Sequence, residues 1–103
     1  HLDGYIYIFR IDYLGNIVFK IGFSKDPEQR INAFKYLGNV DVILTFETND
    51  CRFFERSLHR IFWKKRIFGE FFKLSEIDIE SIKEKFKSGM NGKAMVEWLA
   101  LSS

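Results

Sequence analysis

The carboxylate of Glu70 stands alone in the aromatic stretch Phe68-Gly69-Glu70-Phe71-Phe72-Lys73-Leu74. Burial there without a cation would raise its pKa and neutralise it. A bound divalent metal would remove that conflict, and so would a solvent-facing place on an amphipathic edge strand. Arg30 raises the complementary problem. On a helix beginning at Pro27, steps of about 100° per residue put Arg30 beside Leu37 and Phe34, with Ala33 and Ile31 on the flanks, inside the apolar arc. A guanidinium so placed has to meet a carboxylate, a carbonyl or an exogenous anion, because an unpaired buried charge is costly. An internal salt bridge satisfies that need as well as a phosphate does.

Tyr7 and Lys20 lie on two neighbouring apolar segments, where a phenol and an ammonium could point into one pocket, although a tyrosine in such a segment also serves as core filler. Further along, Arg52, Arg56, Arg60 and Lys64 recur at four-residue spacing, a like-charged ridge whose repulsion disfavours an isolated helix. A phosphate backbone would relieve it. So would a solvated face balanced by Glu47 and Glu55. Lys64, Lys65 and Arg66 carry the basic surface toward Glu70. His59 falls one turn after Glu55, where it could touch a substrate or pair with that carboxylate.

Positioning these groups requires a defined set of elements. Tyr5 to Asp12 and Ile17 to Gly22 are rich in Ile, Val, Tyr and Phe, and Tyr13-Leu14-Gly15-Asn16 between them has turn chemistry, so the pair predicts a β-hairpin. Alternation sends Tyr5, Tyr7, Phe9 and Ile11 to one face and Ile6, Ile8, Arg10 and Asp12 to the other. Both faces begin apolar, so helices are expected on both. Asp26-Pro27-Glu28-Gln29 combines a capping side chain, a first-turn proline and Gln at capping-box spacing, and Gly38 stops that helix. Val40 to Glu47 predicts a third strand. Asn49 or Asp50 caps a helix expected to run to about Arg66, with Phe54, Leu58, Ile61 and Phe62 as its core stripe.

The aromatic stretch around Glu70 predicts a short extended segment, followed by a helix capped by Ser75 and ended by Gly89, with Ile79, Ile82 and Phe86 at core spacing. Lys93 to Leu101 predicts a last helix carrying Met95, Trp98 and Leu99. The sum is a single α+β domain over residues 4–101, built on a small, mostly antiparallel three-stranded sheet flanked by helices.

The chain has 103 residues, 47% hydrophobic, with 12 Phe, 4 Tyr and 2 Trp, enough bulky side chains for one core and against bulk disorder. The single cysteine, Cys51, makes no internal disulfide and no zinc-type spacing, which argues for a reducing, intracellular compartment, cytoplasmic or nucleoid or nuclear. No membrane span or signal peptide is legible, so a soluble chain is expected. His1 in place of Met suggests a trimmed tag or an excised domain and is given no functional role. A net charge of +2 is too mild to argue for nucleic acid without its distribution.

In this order the residues resemble the GIY-YIG nuclease superfamily, and within it the meiotically up-regulated and phage open-reading-frame branch, over roughly residues 4 to 75. Gly4-Tyr5-Ile6-Tyr7-Ile8 is similar to the first signature, with Tyr7 at its catalytic tyrosine. Phe19-Lys20-Ile21-Gly22 is similar to the second, with Lys20 where the superfamily has a tyrosine and this branch a lysine. Ser24 to Arg30 matches the start of the family's helix, with Arg30 at its catalytic arginine. Leu58-His59-Arg60-Ile61-Phe62 and Gly69-Glu70-Phe71-Phe72 resemble the later motifs, with Glu70 at the metal ligand. Asn91 has no assignable counterpart.

The resemblance implies a GIY-YIG-like fold and hydrolysis of DNA phosphodiesters with one Mg²⁺ or Mn²⁺ on Glu70. Arg30 would stabilise charge on the transferring phosphate. Tyr7 would orient or deprotonate water, its pKa lowered by Lys20 or the metal. Lys20 would assist proton transfer or hold phosphate, and His59 would contact substrate or a proton. Arg52, Arg56, Arg60, Lys64, Lys65 and Arg66 would track the DNA backbone. Two alternatives stand beside this: a non-catalytic nucleic-acid-binding domain with the same fold, and a protein-interaction module in which Arg30 and Glu70 pair internally. Nothing resembles a separate base-reading module, so a targeting domain outside this stretch is compatible with the reading.

Overall fold

The hairpin forms where the β-branched and aromatic residues concentrate. Strand β1 (Gly4–Tyr13) pairs antiparallel with β2 (Asn16–Ser24), in a register that sets Tyr7 opposite Gly22 and Phe9 opposite Lys20. Leu14 and Gly15 both take positive φ, 52° and 85°, the handedness that matches strand twist in a two-residue connection. The Gly15 N–H donates to Asp12 Oδ1 at 3.0 Å. The computed structural model describes residues 2–102.

Strand β3 (Asn39–Thr48) pairs antiparallel with the other edge of β1. The three-stranded expectation is corrected here. The aromatic stretch folds back on itself through Gly69, at φ +52°, and Glu70, giving two short strands, β4 (Arg66–Phe68) and β5 (Phe71–Phe72). They add to the free edge of β2, so the sheet has five strands in the order β3-β1-β2-β5-β4. Neighbouring strands are antiparallel throughout.

Helix α1 (Pro27–Phe34) starts where Asp26 accepts a hydrogen bond from the Gln29 N–H at 3.2 Å, and a 3₁₀ turn over Lys35–Leu37 carries it to Gly38. Helix α2 (Cys51–Ile61) is shorter than expected. The expectation of a helix to Arg66 fails because Phe62 leaves helical geometry and buries its ring 5.9 Å from that of Trp98. A 3₁₀ turn over Trp63–Lys65 then swings the chain into β4. Helix α3 (Glu76–Lys87) begins with a reciprocal capping box between Ser75 and Asp78. Helix α4 (Gly92–Leu101) is capped by Asn91, whose Oδ1 accepts from the Ala94 N–H at 2.8 Å. Asn91 therefore has a structural duty.

The alternation of β1 splits the interior in two. Ile6, Ile8, Phe19 and Ile21 pack against Phe54 and Leu58 of α2, Ile79, Ile82 and Phe86 of α3, and Met95 and Trp98 of α4. On the opposite face Tyr7, Phe9 and Ile11 pack with Val18, Ile31, Phe34 and Phe71 beneath α1. Helices thus cover both faces, which keeps the central hairpin dry. Among the described residues no helix is long and apolar enough to cross a membrane.

Candidate active site

Strand β5 follows β2 only briefly. Phe19 and Lys20 pair with Phe72 and Phe71, the Ile21 N–H donates to the Glu70 carbonyl at 3.0 Å, and beyond that point the strands part. Gly22 opens the gap. A Cβ at position 22 would lie 2.5 Å from Tyr7 Oη and 2.8 Å from Glu70 Oε1, so only hydrogen lets phenol and carboxylate come together over the strand. The register matters equally: Tyr7 and Gly22 are partners across the hairpin, and Lys20 is two residues before Gly22 on the same face.

Lys20 Nζ sits 3.0 Å from Glu70 Oε1, with its side chain 7% exposed and that of Glu70 41% exposed. The ammonium also lies 5.4 Å from the Phe34 ring centroid and 5.2 Å from that of Phe71, both on the α1 side. Arg30 does not sit within an apolar arc: α1 contributes no buried residue and Arg30 is exposed. The helix packs Ile31 and Phe34 against one face of the sheet, and the exposed guanidinium reaches across its own Phe34, 5.5 Å from that ring. It comes within hydrogen-bonding reach of the Tyr7 phenol. The internal pair expected by the protein-interaction alternative is replaced by Lys20 with Glu70 and Arg30 with Tyr7.

Glu70 is likewise not part of an extended segment. It is the second residue of the β4–β5 turn, which aims its carboxylate out of the sheet edge toward α2. Glu55 and His59 meet it there. Ligand atoms of Glu55, His59 and Glu70 all lie within 4.8 Å of one another, a group able to hold a metal ion. The Glu55 and Glu70 carboxyls meet at hydrogen-bonding distance, and burial together with the Glu70 charge raises the Glu55 pKa to about 7. His59 Nε2 lies 2.9 Å from the Ile21 carbonyl oxygen. Burial lowers the imidazole pKa, which keeps the ring neutral.

Tyr7 lies deeper than Lys20. Its ring is 1% exposed, and desolvation raises the phenol pKa despite the opposing pull of Arg30. A phenol so held is protonated near neutrality and can donate a hydrogen bond. Glu55 is the site member that the pattern of the sequence missed, read there only as a counter-charge. The i, i+4 spacing of Glu55 and His59 was the available signal.

The basic ridge is only partly continuous. Arg52, Arg56 and Arg60 are exposed along α2, and steps of about 100° put them on the stripe beside Glu55 and His59. Lys64 is not on that helix, which ends before it, and lies 5.9 Å from the Trp63 ring. Lys65 is paired with Asp78, and Arg66 is exposed at the start of β4. A surface groove between α1 and the sheet at Tyr5, Pro27, Ile31 and Val42 is lined by none of Tyr7, Lys20, Arg30, Glu55, His59 and Glu70.

An antiparallel sheet clasped by helices on both faces, with Tyr7, Lys20, Arg30, His59 and Glu70 brought to one strand edge, is the class of domain this sequence builds. The family model of the T5orf172 domain matches residues 4–87, and the chain belongs to that family. No curated protein and no solved structure matches it.

Proposed function

We propose that this domain is a metal-dependent endonuclease of the GIY-YIG type that hydrolyses DNA phosphodiester bonds. The observation that carries the reading is convergence: Tyr7, Lys20, Arg30 and Glu70, supplied by four separate elements, meet around the gap above Gly22. Nothing in packing requires a buried lysine and an exposed arginine to share that edge with a carboxylate and a phenol.

The donor set fits a hard divalent cation such as Mg²⁺ or Mn²⁺, since Glu70 presents a partly exposed carboxylate. A cation bound there would polarise the scissile phosphate and favour ionisation of an attacking water. Arg30, exposed and turned toward the Tyr7 hydroxyl, is placed to bind the phosphate and to stabilise charge that develops on it. Tyr7, kept protonated, orients the attacking water through its hydroxyl. Lys20 neutralises Glu70 and fixes the direction of its carboxylate. His59, neutral and held on the Ile21 carbonyl, stands beside the same carboxylate. The arginines of α2 supply a surface for the DNA backbone.

The Lys20 to Glu70 ion pair favours one alternative, a non-catalytic nucleic-acid-binding domain of the same fold, because it satisfies both charges without any ligand. Supercoiled plasmid incubated with Mg²⁺ or Mn²⁺ separates the two. Nicking by the wild type that is lost in both Arg30→Ala and Glu70→Ala supports the enzyme. Salt-dependent DNA binding without nicking under either ion supports the alternative.

A further inference from the structure

We infer that Glu55 and His59 join Glu70 as ligands of one divalent cation, forming a carboxylate–imidazole–carboxylate centre that binds Mn²⁺ and similar transition ions in preference to Mg²⁺. The inference rests on the reading of Glu70 as a cation ligand and extends it to two further side chains.

The spacing is close to what one ion requires. Oxygen and nitrogen donors bind such ions at about 2.0–2.2 Å, so two donors on one ion can be separated by at most about 4.4 Å. One donor atom from each residue, a ring nitrogen in the case of His59, lies within 4.8 Å of the other two, so rotamer adjustment of these side chains brings them to an ion. All three side chains are partly accessible, which leaves room for that adjustment and a path for an ion to enter.

Their supports are firm. Glu55 and His59 are one turn apart on a helix pinned to the core by Phe54 and Leu58. Glu70 is fixed by its carbonyl, which accepts from the Ile21 N–H. The carbonyl oxygen of the same Ile21 can only accept, so His59 Nε2 carries the proton and the lone pair of the neutral ring resides on Nδ1. Metal-binding imidazoles are oriented in this way, through a carbonyl on the second nitrogen.

The electrostatics point the same way. Two carboxylates and an imidazole brought this close concentrate donor atoms that a divalent cation matches better than one ammonium does. Among the described residues Lys20 pairs directly with Glu70, while it and Arg56 act on Glu55 only through space. A divalent ion would compensate both carboxylates at once. An imidazole nitrogen in the donor set suits Mn²⁺, Co²⁺ or Zn²⁺ better than Mg²⁺, which prefers oxygen throughout and keeps its waters.

The test uses the 103-residue chain stripped of metal and Mn²⁺ alone, with no DNA. Titration by electron paramagnetic resonance is expected to show one Mn²⁺ bound at least about tenfold more tightly than Mg²⁺ competes for it. Pulsed measurements should show coupling of the bound Mn²⁺ to a ring nitrogen. Glu55→Gln and His59→Gln should each weaken Mn²⁺ at least about tenfold, and His59→Gln should abolish the nitrogen coupling, with circular dichroism confirming that each variant is folded. Absence of nitrogen coupling in the wild type, or Mn²⁺ affinity unchanged in both variants, overturns the inference and leaves a Glu70-only nuclease standing. A Mn²⁺ centre with the expected couplings in a protein that never nicks plasmid overturns the nuclease reading and leaves the centre standing.

Discussion

Lys20 Nζ and Glu70 Oε1 are 3.0 Å apart, a buried ammonium held by a carboxylate that is itself 41% exposed. The asymmetry decides what each mutation does. Glu70→Ala leaves the Lys20 charge with the Phe34 and Phe71 rings and the more distant Glu55, and is expected to cost about 1–2 kcal/mol, below the cost for a fully buried pair because solvent reaches Glu70. Lys20→Met removes the charge and should be close to neutral. Lys20→Met combined with Glu70→Ala should recover most of the loss, so the cycle shows a clear coupling. Urea unfolding of the four proteins measures it, and a Glu70→Ala protein as stable as wild type would show that the pair is incidental.

Gly22→Ala puts a methyl where Tyr7 Oη and Glu70 Oε1 come together. The phenol cannot retreat, because its ring is stacked 4.3 Å from Phe9 and buried beneath α1. The expected cost in stability is about 1–3 kcal/mol, the usual range for overpacking. Nicking should fall about a hundredfold or more, since displacement on the ångström scale is enough to misalign reacting groups. A Gly22→Ala variant that is folded and fully active would mean that the gap above residue 22 is not where chemistry happens.

What was legible in the sequence follows from how local each cause is. The hairpin, the first-helix start at Asp26-Pro27 and the Ser75 cap were readable because strand alternation and helix caps are set within a few residues. The split of Ile6 and Ile8 from Tyr7 and Phe9 followed from the same alternation, and the two cores obey it. The extra strands were not readable. Whether Phe68 and Phe71 face each other across a turn or continue in one line depends on the edge that β2 offers, a partner distant in sequence. The early end of α2 was hidden for a similar reason, since Phe62 breaks from the helix to meet Trp98, which comes from α4.

The candidate site divides along the same line. Residue type and order single out Tyr7, Lys20, Arg30, His59 and Glu70, and they converge, but Arg30 does so from an exposed position and not from a buried one. Helical periodicity placed Arg30 among apolar neighbours, whereas α1 lies on the surface and buries nothing completely. Glu55 reads in the sequence as a counter-charge and not as a site member, because a glutamate beside arginines on a helix satisfies a simple charge-balance account. Only the tertiary approach of the β4–β5 turn shows that it faces Glu70.

The arginine ridge makes a prediction that requires no cleavage. Arg52, Arg56 and Arg60 are exposed on one stripe of α2, beside the Glu55 and His59 stripe. If each contacts a phosphate, replacing all three by Gln should reduce the slope of log affinity against log salt by roughly 2–3, at about 0.9 per contact. Stability should rise by a few tenths of a kcal/mol, because like charges one turn apart repel. Fluorescence anisotropy with duplex DNA at several salt concentrations measures the slope, and an unchanged slope would remove the ridge from the interface.

Glu55 predicts an unusual dependence of stability on pH. Its carboxyl is raised to about 7 from an ordinary 4.5, so the folded state holds this proton more tightly than the unfolded state does. Its contribution is therefore fully present below about pH 4.5 and is lost as pH rises toward 7, opposite in sign to a salt-bridged carboxylate. The loss is expected to be on the order of 1–2 kcal/mol, less than the full shift implies because the group is only half buried. His59 works against it in part of the same window: its lowered pKa makes folding less favourable as pH falls below about 6.5. The two are separated by comparing wild type with Glu55→Gln, which retains a hydrogen-bond donor toward Glu70 and cannot ionise. In metal-free buffer, urea unfolding from pH 5 to 8 should show the variant gaining stability relative to wild type as pH rises, with most of the gain between 5 and 7. A constant difference across that range would mean that Glu55 carries its charge in the folded protein and shares no proton with Glu70.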